Sequence, residues 1–256
     1  MFGWLTERRR RKLEAAPFPA HWQPFLDDNV ALYARLDPPM QERLRDLTVV
    51  FIDEKSWEGC GGFELSEEAQ VTIAAQACIL LLGREHALYE DVDSILVYPS
   101  TMVAPPRQRG FFELSTTVAD SETALHGQAW IKGPVILAWD DVLAGGRGHG
   151  KRNVVLHEFA HKIDMQDGSI DGTPPLDSAA ARRAWAAVCS KVYLELRERV
   201  DAGKATFLDD YGATNEAEFF AVATETYFLR PAKLREEEPA LYGLLAEFYR
   251  FEPPAR

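Results

Sequence analysis

Apolar residues recur at intervals of three and four through most of the N-terminal third, which is the spacing of one face of an α-helix. The pattern predicts helices over residues 22–36, 39–52 and about 67–82. The third helix is apolar nearly all round, and it begins after Ser66, a residue type that caps helix N-termini, with acidic residues in its first turn. Because a helix without a polar face is buried, we expect this one at the centre of the core.

The middle of the chain has shorter apolar runs between turn residues, which is typical of strands. These runs predict strands at residues 94–98, 110–118, 128–131 and 135–139. Helical periodicity then returns at residues 178–200, 214–229 and about 238–250. This order of elements predicts an α+β fold that is mainly helical, with a small mixed sheet.

Two histidines and a glutamate interrupt an apolar run at residues 153–163, which predicts a buried helix with Asn153 as its N-cap. His157 and His161 are four residues apart and therefore share one helix face, with Cβ atoms roughly 5–6 Å apart. Zinc binds imidazole nitrogens, so two rings at this spacing can converge on one ion. Glu158 follows the first histidine and can accept a proton from water on the metal's open side. The sequence therefore predicts one catalytic zinc ion per chain.

The third metal ligand must come from elsewhere in the chain, and a glutamate beside two histidines is a common catalytic set. The predicted helix at 214–229 carries Glu216, Glu218 and Glu225. Glu218 and Glu225 are seven residues apart and lie nearly on one face. We expect one of them to bind the metal and the other to hydrogen-bond a metal-binding histidine. Glu216 points away and can interact with the dipole at the helix start.

Asp164 lies seven residues after His157, near the same helix face. Metal-binding imidazoles usually donate their outer N–H to a carboxylate or a carbonyl, and Asp164 is a candidate for that contact. It can equally accept a hydrogen bond from the turn that follows the helix. The spacing leaves both roles open.

Charge and composition exclude several classes of protein. The net charge of -12 is unlike that of a general nucleic-acid binder. The one basic run, at residues 8–12, belongs to a leader of residues 1–16 that we expect to be solvated and flexible. No secretory signal is recognisable, and the longest apolar stretch, residues 73–82, is broken by Gln76 and too short to span a membrane. Three cysteines without a C-x-x-C pair are typical of a reducing compartment, so we expect a cytoplasmic protein without a membrane or nucleic-acid partner.

Several segments resemble one family of known proteins. The residues at 157–164 read HEFAHKID and those at 211–221 read YGATNEAEFFA, and both are similar, in this order, to the zinc peptidases grouped around Mlc titration factor A. The likeness extends over nearly the whole chain and includes residues 58–62, 71–78, 95–99 and 164–168. The metal site alone also resembles the catalytic domain of anthrax lethal factor. The resemblance implies a zincin-like fold with the small sheet beside the histidine-bearing helix.

The resemblance also implies roles for single residues. In both groups the glutamate before the Phe-Phe pair is the third metal ligand, which implies Glu218 here. The tyrosine seven residues earlier is thought to stabilise the transition state, which implies Tyr211. The lethal-factor pattern has an acidic residue four positions after the ligand, where this chain has Val222. A carboxylate hydrogen-bonded to a metal ligand must therefore come from Glu225 or Asp164.

The function implied is a zinc-dependent peptidase with aminopeptidase-type activity on a peptide or protein substrate. Glu158 would take a proton from water and return it to the leaving amine, Tyr211 would stabilise the oxyanion, and an edge strand at 110–118 or 128–131 could pair with the peptide. The family is also described as binding Mlc, a glucose-responsive transcriptional repressor, and so affecting sugar uptake. The alternative is a non-catalytic, zinc-stabilised regulatory protein that sequesters a transcription factor.

The domain organisation follows from the length and the motifs. We predict a single peptidase domain over residues 17–256, with a helical part at about 17–90 and a catalytic part at about 91–256. The remaining histidines are interpreted as surface residues, namely His21, His86, His126 and His149.

Overall fold

The computed structural model describes residues 3–84, 89–100, 133–148, 150 and 152–255, and the side chains from residue 7 onward. These ranges contain ten α-helices and three β-strands. The helices are α1 (Gly3–Glu14), α2 (Gln23–Asn29), α3 (Pro38–Glu54), α4 (Glu67–Ile79), α5 (Trp139–Gly146), α6 (Val154–Asp164), α7 (Ala179–Asp201), α8 (Glu216–Leu229), α9 (Pro231–Glu237) and α10 (Pro239–Tyr249). The strands are β1 (Ser56–Gly59), β2 (Ser94–Tyr98) and β3 (Val135–Ala138). The strands predicted at 110–118 and 128–131, with His86, His126 and His149, lie outside the described residues.

The three strands form a parallel sheet in the order β1–β2–β3. Trp57 of β1 lies opposite Ile95 of β2, and Leu96 lies opposite Ile136 of β3. Residues Ile95 and Val97 are buried and point to the same face, as the two-residue period of a strand requires. The mainly helical α+β fold is as predicted. The antiparallel strand that a mixed sheet would need is not among the described residues.

Helix α4 lies at the centre of the core, as its apolar composition predicts. Every residue from Val71 to Ile79 is buried. The helix packs against α2, α3, α5 and α6, so it is surrounded by other helices rather than by solvent. Within the described residues, none of the helices has the length and apolar content needed to cross a membrane.

Helices α6 and α8 pack against each other and carry the predicted metal-binding residues. Helix α6 begins at its predicted N-cap, where Asn153 Oδ1 accepts a hydrogen bond of 3.0 Å from the Leu156 N–H. Helix α8 begins after Asn215, whose side chain accepts from the N–H of Glu218. All residues of α8 from Ala217 to Leu229 are buried. Its carboxylates therefore lie inside the protein, against α6.

The predicted helix at residues 22–36 is divided in the structure. It consists of α2 and two short 3-10 helices, Ala20–Trp22 and Tyr33–Arg35. Asn29, the last residue of α2, is buried, and its side chain donates hydrogen bonds to Glu68 and Thr72 of α4. These contacts hold the end of α2 against α4, and the chain turns there.

The basic N-terminal segment also differs from its prediction. The structure has a helix over Gly3–Glu14, where we expected a flexible leader. Arg9 and Arg10 form ion pairs with Asp53 and Glu54 of α3. Opposite charges on α1 and α3 thus hold this helix against the rest of the protein.

Helix α5 begins at Trp139 and so replaces the end of the strand predicted at residues 135–139. Strand β3 ends at Ala138, and the helix that follows ends with Gly145 and Gly146. Glycine is a poor helix former, but a Cβ at Gly146 would come within 2.5 Å of Gln76 Nε2, and one at Gly145 within 2.8 Å of Asn153 Cα. The two glycines let α5 approach α4 and the start of α6.

Candidate metal centre

The three predicted metal ligands come together between α6 and α8. His157 Nε2 lies 3.0 Å from Glu218 Oε2 and 3.2 Å from His161 Nε2. His161 Nε2 lies 3.4 Å from the same Glu218 oxygen. In the part of the chain that the structure describes, this is the one group of three His, Cys, Asp or Glu side chains whose ligand atoms all lie within 4.8 Å of one another.

These separations suit a single tetrahedral metal ion. Bonds of about 2.0–2.1 Å at tetrahedral angles place zinc ligands about 3.3 Å apart. The observed separations of 3.0, 3.2 and 3.4 Å lie around this value. Three protein ligands also leave a fourth coordination position open, which is the arrangement of catalytic zinc sites. The donor set therefore fits a metal ion with the geometry of zinc.

Without a metal, a proton on His157 supplies the positive charge that faces the Glu218 carboxylate. Burial lowers the pKa of His157, but hydrogen bonds to Glu218 and Glu225 outweigh burial and raise it to about 10. Burial raises the pKa of Glu218, but hydrogen bonds from the two histidines outweigh burial and lower it to about 2. Burial lowers the pKa of His161. Metal binding to such a cluster releases a proton, because the ligating imidazoles must be neutral.

Glu158 lies next to the cluster and lines a cavity beside it. Burial raises the pKa of its carboxyl to about 7, against the lowering effect of His157. A carboxyl that titrates near neutral pH can both accept and return a proton. The position and the pKa of Glu158 are compatible with its predicted role as a proton acceptor.

Glu225 contacts the outer nitrogen of His157. Its Oε1 accepts a hydrogen bond of 2.8 Å from His157 Nδ1–H, and its Oε2 accepts one of 2.5 Å from the backbone N–H of Asn153. In the neutral, metal-binding form of His157, a proton held on Nδ1 by Glu225 leaves Nε2 available to the metal. Of the two carboxylates that the sequence offered for this contact, Glu225 makes it.

A chain of polar contacts continues from Asn153 into the central helix α4. Asn153 Nδ2 donates to Gln76 Oε1 at 2.7 Å, and Gln76 Nε2 donates to the Val142 carbonyl at 3.3 Å. Both polar side chains are buried. The sequence pattern did not indicate that Gln76 belongs to the site, although a glutamine inside an otherwise apolar helix was a visible signal.

Asp164 lies at the opposite end of α6 and contacts the turn that follows. Its Oδ2 accepts a hydrogen bond of 2.9 Å from the Gly172 N–H, and its Oδ1 has no hydrogen-bond partner among the described residues. The nearby Thr173 N–H donates to Asp171 at 3.0 Å and also has a small lowering effect on the pKa of Asp164. Burial raises the pKa of Asp164 to about 7, although the Gly172 N–H opposes this shift. Asp164 thus has the turn contact that was one of its two expected roles.

A cavity of about 630 Å³ opens beside the three candidate metal ligands. Its walls come from α5, α6, α8 and the segment before α8. The lining includes His157, Glu158, Tyr211, Arg152, Asp209 and Asp141. The predicted catalytic residues therefore share one cavity with groups that the sequence did not identify.

Tyr211 lies beside His157, with the two ring centroids 5.9 Å apart. Its backbone N–H donates to Asp209 Oδ1 at 3.1 Å. The Asp209 carboxylate also accepts two hydrogen bonds from Arg152, of 2.6 and 2.8 Å. This pair joins the Tyr211 segment to Arg152, the residue before the N-cap of α6. No sequence signal links these two charged residues, which are 57 residues apart in the chain.

Comparisons with known proteins agree with this geometry. The profile of the family described as glucose-regulated metallo-peptidase M90 matches residues 4–250. The chain is 35% identical to an uncharacterized protein of Synechocystis, over 98% of this chain and 90% of that protein. It is 31% identical to Mlc titration factor A of Serratia proteamaculans (100% and 95% of the two chains) and 28% identical to that of Yersinia pestis (100% and 92%). The chain belongs to the M90 family of glucose-regulated metallo-peptidases.

Proposed function

We propose that the protein is a zinc-dependent peptidase whose metal ligands are His157, His161 and Glu218. The observation that carries this proposal is the convergence of three ligand atoms beside Glu158, on the wall of a cavity of the size that ligands occupy. Membership of a metallo-peptidase family supports the same reaction class. A purely structural zinc site would need a fourth protein ligand, and the described residues offer a group of three.

The chain's own residues have separate tasks in this proposal. When bound, zinc would supply Lewis acidity and lower the pKa of a water molecule in the open coordination position. Glu158 would accept a proton from the attacking water and would return it to the leaving amine. Glu225 holds the Nδ1–H of His157 and so keeps Nε2 directed at the site.

Tyr211 is the proposed donor to the oxyanion that forms on the attacked carbonyl. Its position on the cavity wall beside His157 supports this role. Removing one oxyanion donor costs other enzymes roughly 2.7–4 kcal/mol of transition-state stabilisation. The Arg152–Asp209 pair anchors the segment that carries Tyr211.

Two finer proposals rest on the relatives. The first is aminopeptidase-type cleavage of small peptides. The second is binding of the repressor Mlc in the cytoplasm, which is supported by the name Mlc titration factor A of relatives that align over the whole chain. The two are compatible, because a peptidase can also sequester a repressor.

The first test separates the metal from the base. Purified protein is expected to carry about one zinc ion per chain and to hydrolyse short peptides. Glu158→Gln is expected to keep the zinc and to lose on the order of 10²–10⁴-fold in kcat, because glutamine cannot take a proton. Elemental analysis and a fluorogenic peptide assay on the same sample measure both quantities.

His161→Ala is the matched variant, which is expected to lose zinc and turnover together. Full zinc occupancy in this variant would contradict the ligand set, and wild-type turnover in Glu158→Gln would contradict the base. If the zinc-loaded wild-type protein hydrolyses no peptide, the regulatory alternative is favoured. Binding of purified Mlc, measured by calorimetry, is then the direct test of that alternative.

Tyr211→Phe tests the oxyanion donor. We expect kcat to fall roughly 10²–10³-fold with little change in KM, because the hydroxyl acts mainly once the oxyanion has formed. Steady-state kinetics on a short peptide measures the two constants. An unchanged kcat, with zinc content and folding intact, would leave Tyr211 as a packing residue.

A further inference from the structure

The charges around the cavity are uneven. Four lining residues carry carboxylates, namely Asp141, Glu158, Asp209 and Glu225, and Arg152 carries the one permanent positive charge among the described lining residues. Glu225 and Asp209 are engaged by hydrogen bonds to neighbouring residues, and Glu158 lies beside the metal ligands. The Asp141 carboxylate has no such partner among the described residues.

Asp141 lines the cavity from the first turn of α5 and is partly buried. Within the described ranges, its carboxylate makes no hydrogen bond or ion pair. The hydrogen bond at this turn, of 2.8 Å, runs from the Asp141 backbone N–H to the Asp140 carboxylate. Burial raises the pKa of Asp141, and the negative charge of Asp140 adds to this effect.

We propose that Asp141 binds a positively charged nitrogen of the peptide substrate, so that this cavity selects substrates with a cationic group near the scissile bond. The inference rests on the proposed peptidase function and names the substrate class of that site. The cation can be the side chain of a lysine or arginine, or the α-ammonium group of a free N-terminus. Either source supplies the N–H donors that the Asp141 carboxylate lacks.

The other surroundings of the cavity favour a cation over an anion. A substrate carboxylate would meet Asp141 as a like charge, and it would have to compete with Asp209 for Arg152. The apolar lining residues Ala144, Val154 and Val222 can contact the methylene stem of a long basic side chain. The volume of about 630 Å³ lies within the usual range of roughly 300–1,000 Å³ for ligand cavities.

Four peptides separate the two sources of the cation. They share one sequence, with either lysine or norleucine at one position and with either a free or an acetylated N-terminus. The acetylated norleucine peptide has no cation, and two of the other three have a single cation of known kind. Their kcat/KM is measured with the zinc-loaded wild-type protein. Their Kd is measured by calorimetry with zinc-loaded Glu158→Gln, where binding can be observed without turnover.

Wild-type protein is expected to prefer at least one of the peptides with a single cation over the acetylated norleucine peptide. Asp141→Asn is expected to reduce this preference about tenfold, in kcat/KM and in 1/Kd. A loss confined to the acetylated lysine peptide identifies a side-chain site, and a loss confined to the free norleucine peptide identifies an α-ammonium site. Asp140→Asn is the matched control, because Asp140 lies in the same helical turn but does not line the cavity. It is expected to keep the wild-type preference.

A second variant guards against a trivial loss of folding. Asp141→Lys is expected to reverse the preference, so that a peptide with glutamate in place of lysine binds more tightly than the lysine peptide. The proposal is overturned if Asp141→Asn keeps the wild-type preference, or if Asp140→Asn loses it equally. If no peptide is hydrolysed by the wild-type protein but the Kd preference depends on Asp141, the peptidase function fails and the cation site stands.

Discussion

A buried carboxylate lies at each end of helix α6, and the surroundings of the two carboxylates differ. At its N-terminal end, Glu225 of α8 accepts one hydrogen bond on each oxygen, from His157 and from Asn153. At its C-terminal end, Asp164 accepts a hydrogen bond from Gly172 on one oxygen, and the other oxygen has no partner among the described residues. The helix dipole favours a negative charge at the first end and disfavours it at the second.

The two carboxylates therefore contribute to different properties of the protein. The carboxylate at the metal end is satisfied, and it orients a ligand. The carboxylate at the far end lies in a place where ionisation costs free energy. Substitutions at the metal end should therefore change metal affinity, and substitutions at the far end should change the pH dependence of stability.

The largest expected effect is at the far end. A pKa that rises from 3.8 to about 7 means that the folded chain binds the Asp164 proton more tightly than the unfolded chain does. The free energy of unfolding should therefore fall as the pH rises from about 4 through 7, by up to about 4 kcal/mol from this group. Asp164→Asn cannot ionise, so we expect it to be more stable than wild type at pH 8 by roughly 2–4 kcal/mol, with this advantage absent at pH 4.

Urea denaturation of both proteins between pH 4 and 8 measures this difference. Proton release linked to the metal site is common to both proteins and cancels when one is subtracted from the other. A difference in stability that does not change with pH would contradict the assignment of a costly charge to Asp164. The zinc affinity of the variant is expected to stay at the wild-type value, which is the control for the next prediction.

At the metal end, Glu225→Gln is expected to weaken zinc binding ten- to a hundredfold. A glutamine has one acceptor oxygen, whereas Glu225 accepts from both His157 and Asn153. Its amide group would then present a donor to one of two N–H donors, and His157 would lose its fixed orientation. Competition with a chelating dye measures the zinc Kd. An affinity equal to that of wild type would mean that His157 is held by other contacts.

The smallest effect separates the side chain of Asn153 from its backbone. Asn153→Ala removes the N-cap of α6 and leaves Gln76 Oε1 without its donor, so we expect a loss of roughly 1–2 kcal/mol in the free energy of unfolding. The backbone N–H that Glu225 accepts is retained, so zinc affinity should change little.

Ser178→Ala is the matched control, because Ser178 caps α7 through the Ala181 N–H. It is expected to lose only about 1 kcal/mol, the usual value of a cap. If Asn153→Ala loses as much zinc affinity as Glu225→Gln, the side chain of Asn153 also contributes to zinc binding, and its role cannot be separated from that of the backbone N–H.

Local patterns in the sequence predicted most of the helical fold. Ser66 and Asn153 are predicted caps, and the side chain of each accepts a hydrogen bond from the backbone N–H three residues later. This short-range chemistry is readable from sequence. Strand β1 could not be predicted, because a four-residue parallel strand depends on its partner β2, 38 residues away. Helix α5 was missed because its terminal glycines disfavour a helix locally, although close packing in the folded chain requires them.

The candidate site shows the same limit. The spacing of His157, His161 and Glu158 is local to one helix and was sufficient to predict their grouping. Glu225 and Asp164 have the same seven-residue spacing from a proposed ligand, so spacing alone could not choose which one contacts His157. Gln76 enters the site through the packing of α4 against α6, which periodicity does not reveal.

The buried helix α8 has a consequence for how the chain can change in length. Glu218 and Glu225 are seven residues apart, nearly two helical turns, and both contact His157. One inserted residue between them would rotate the second carboxylate by about 100°, away from the histidine. Insertions and deletions are therefore excluded from this segment, even where single substitutions fit. The turn at Gly168, with open space around it, is where a change in length can be accommodated.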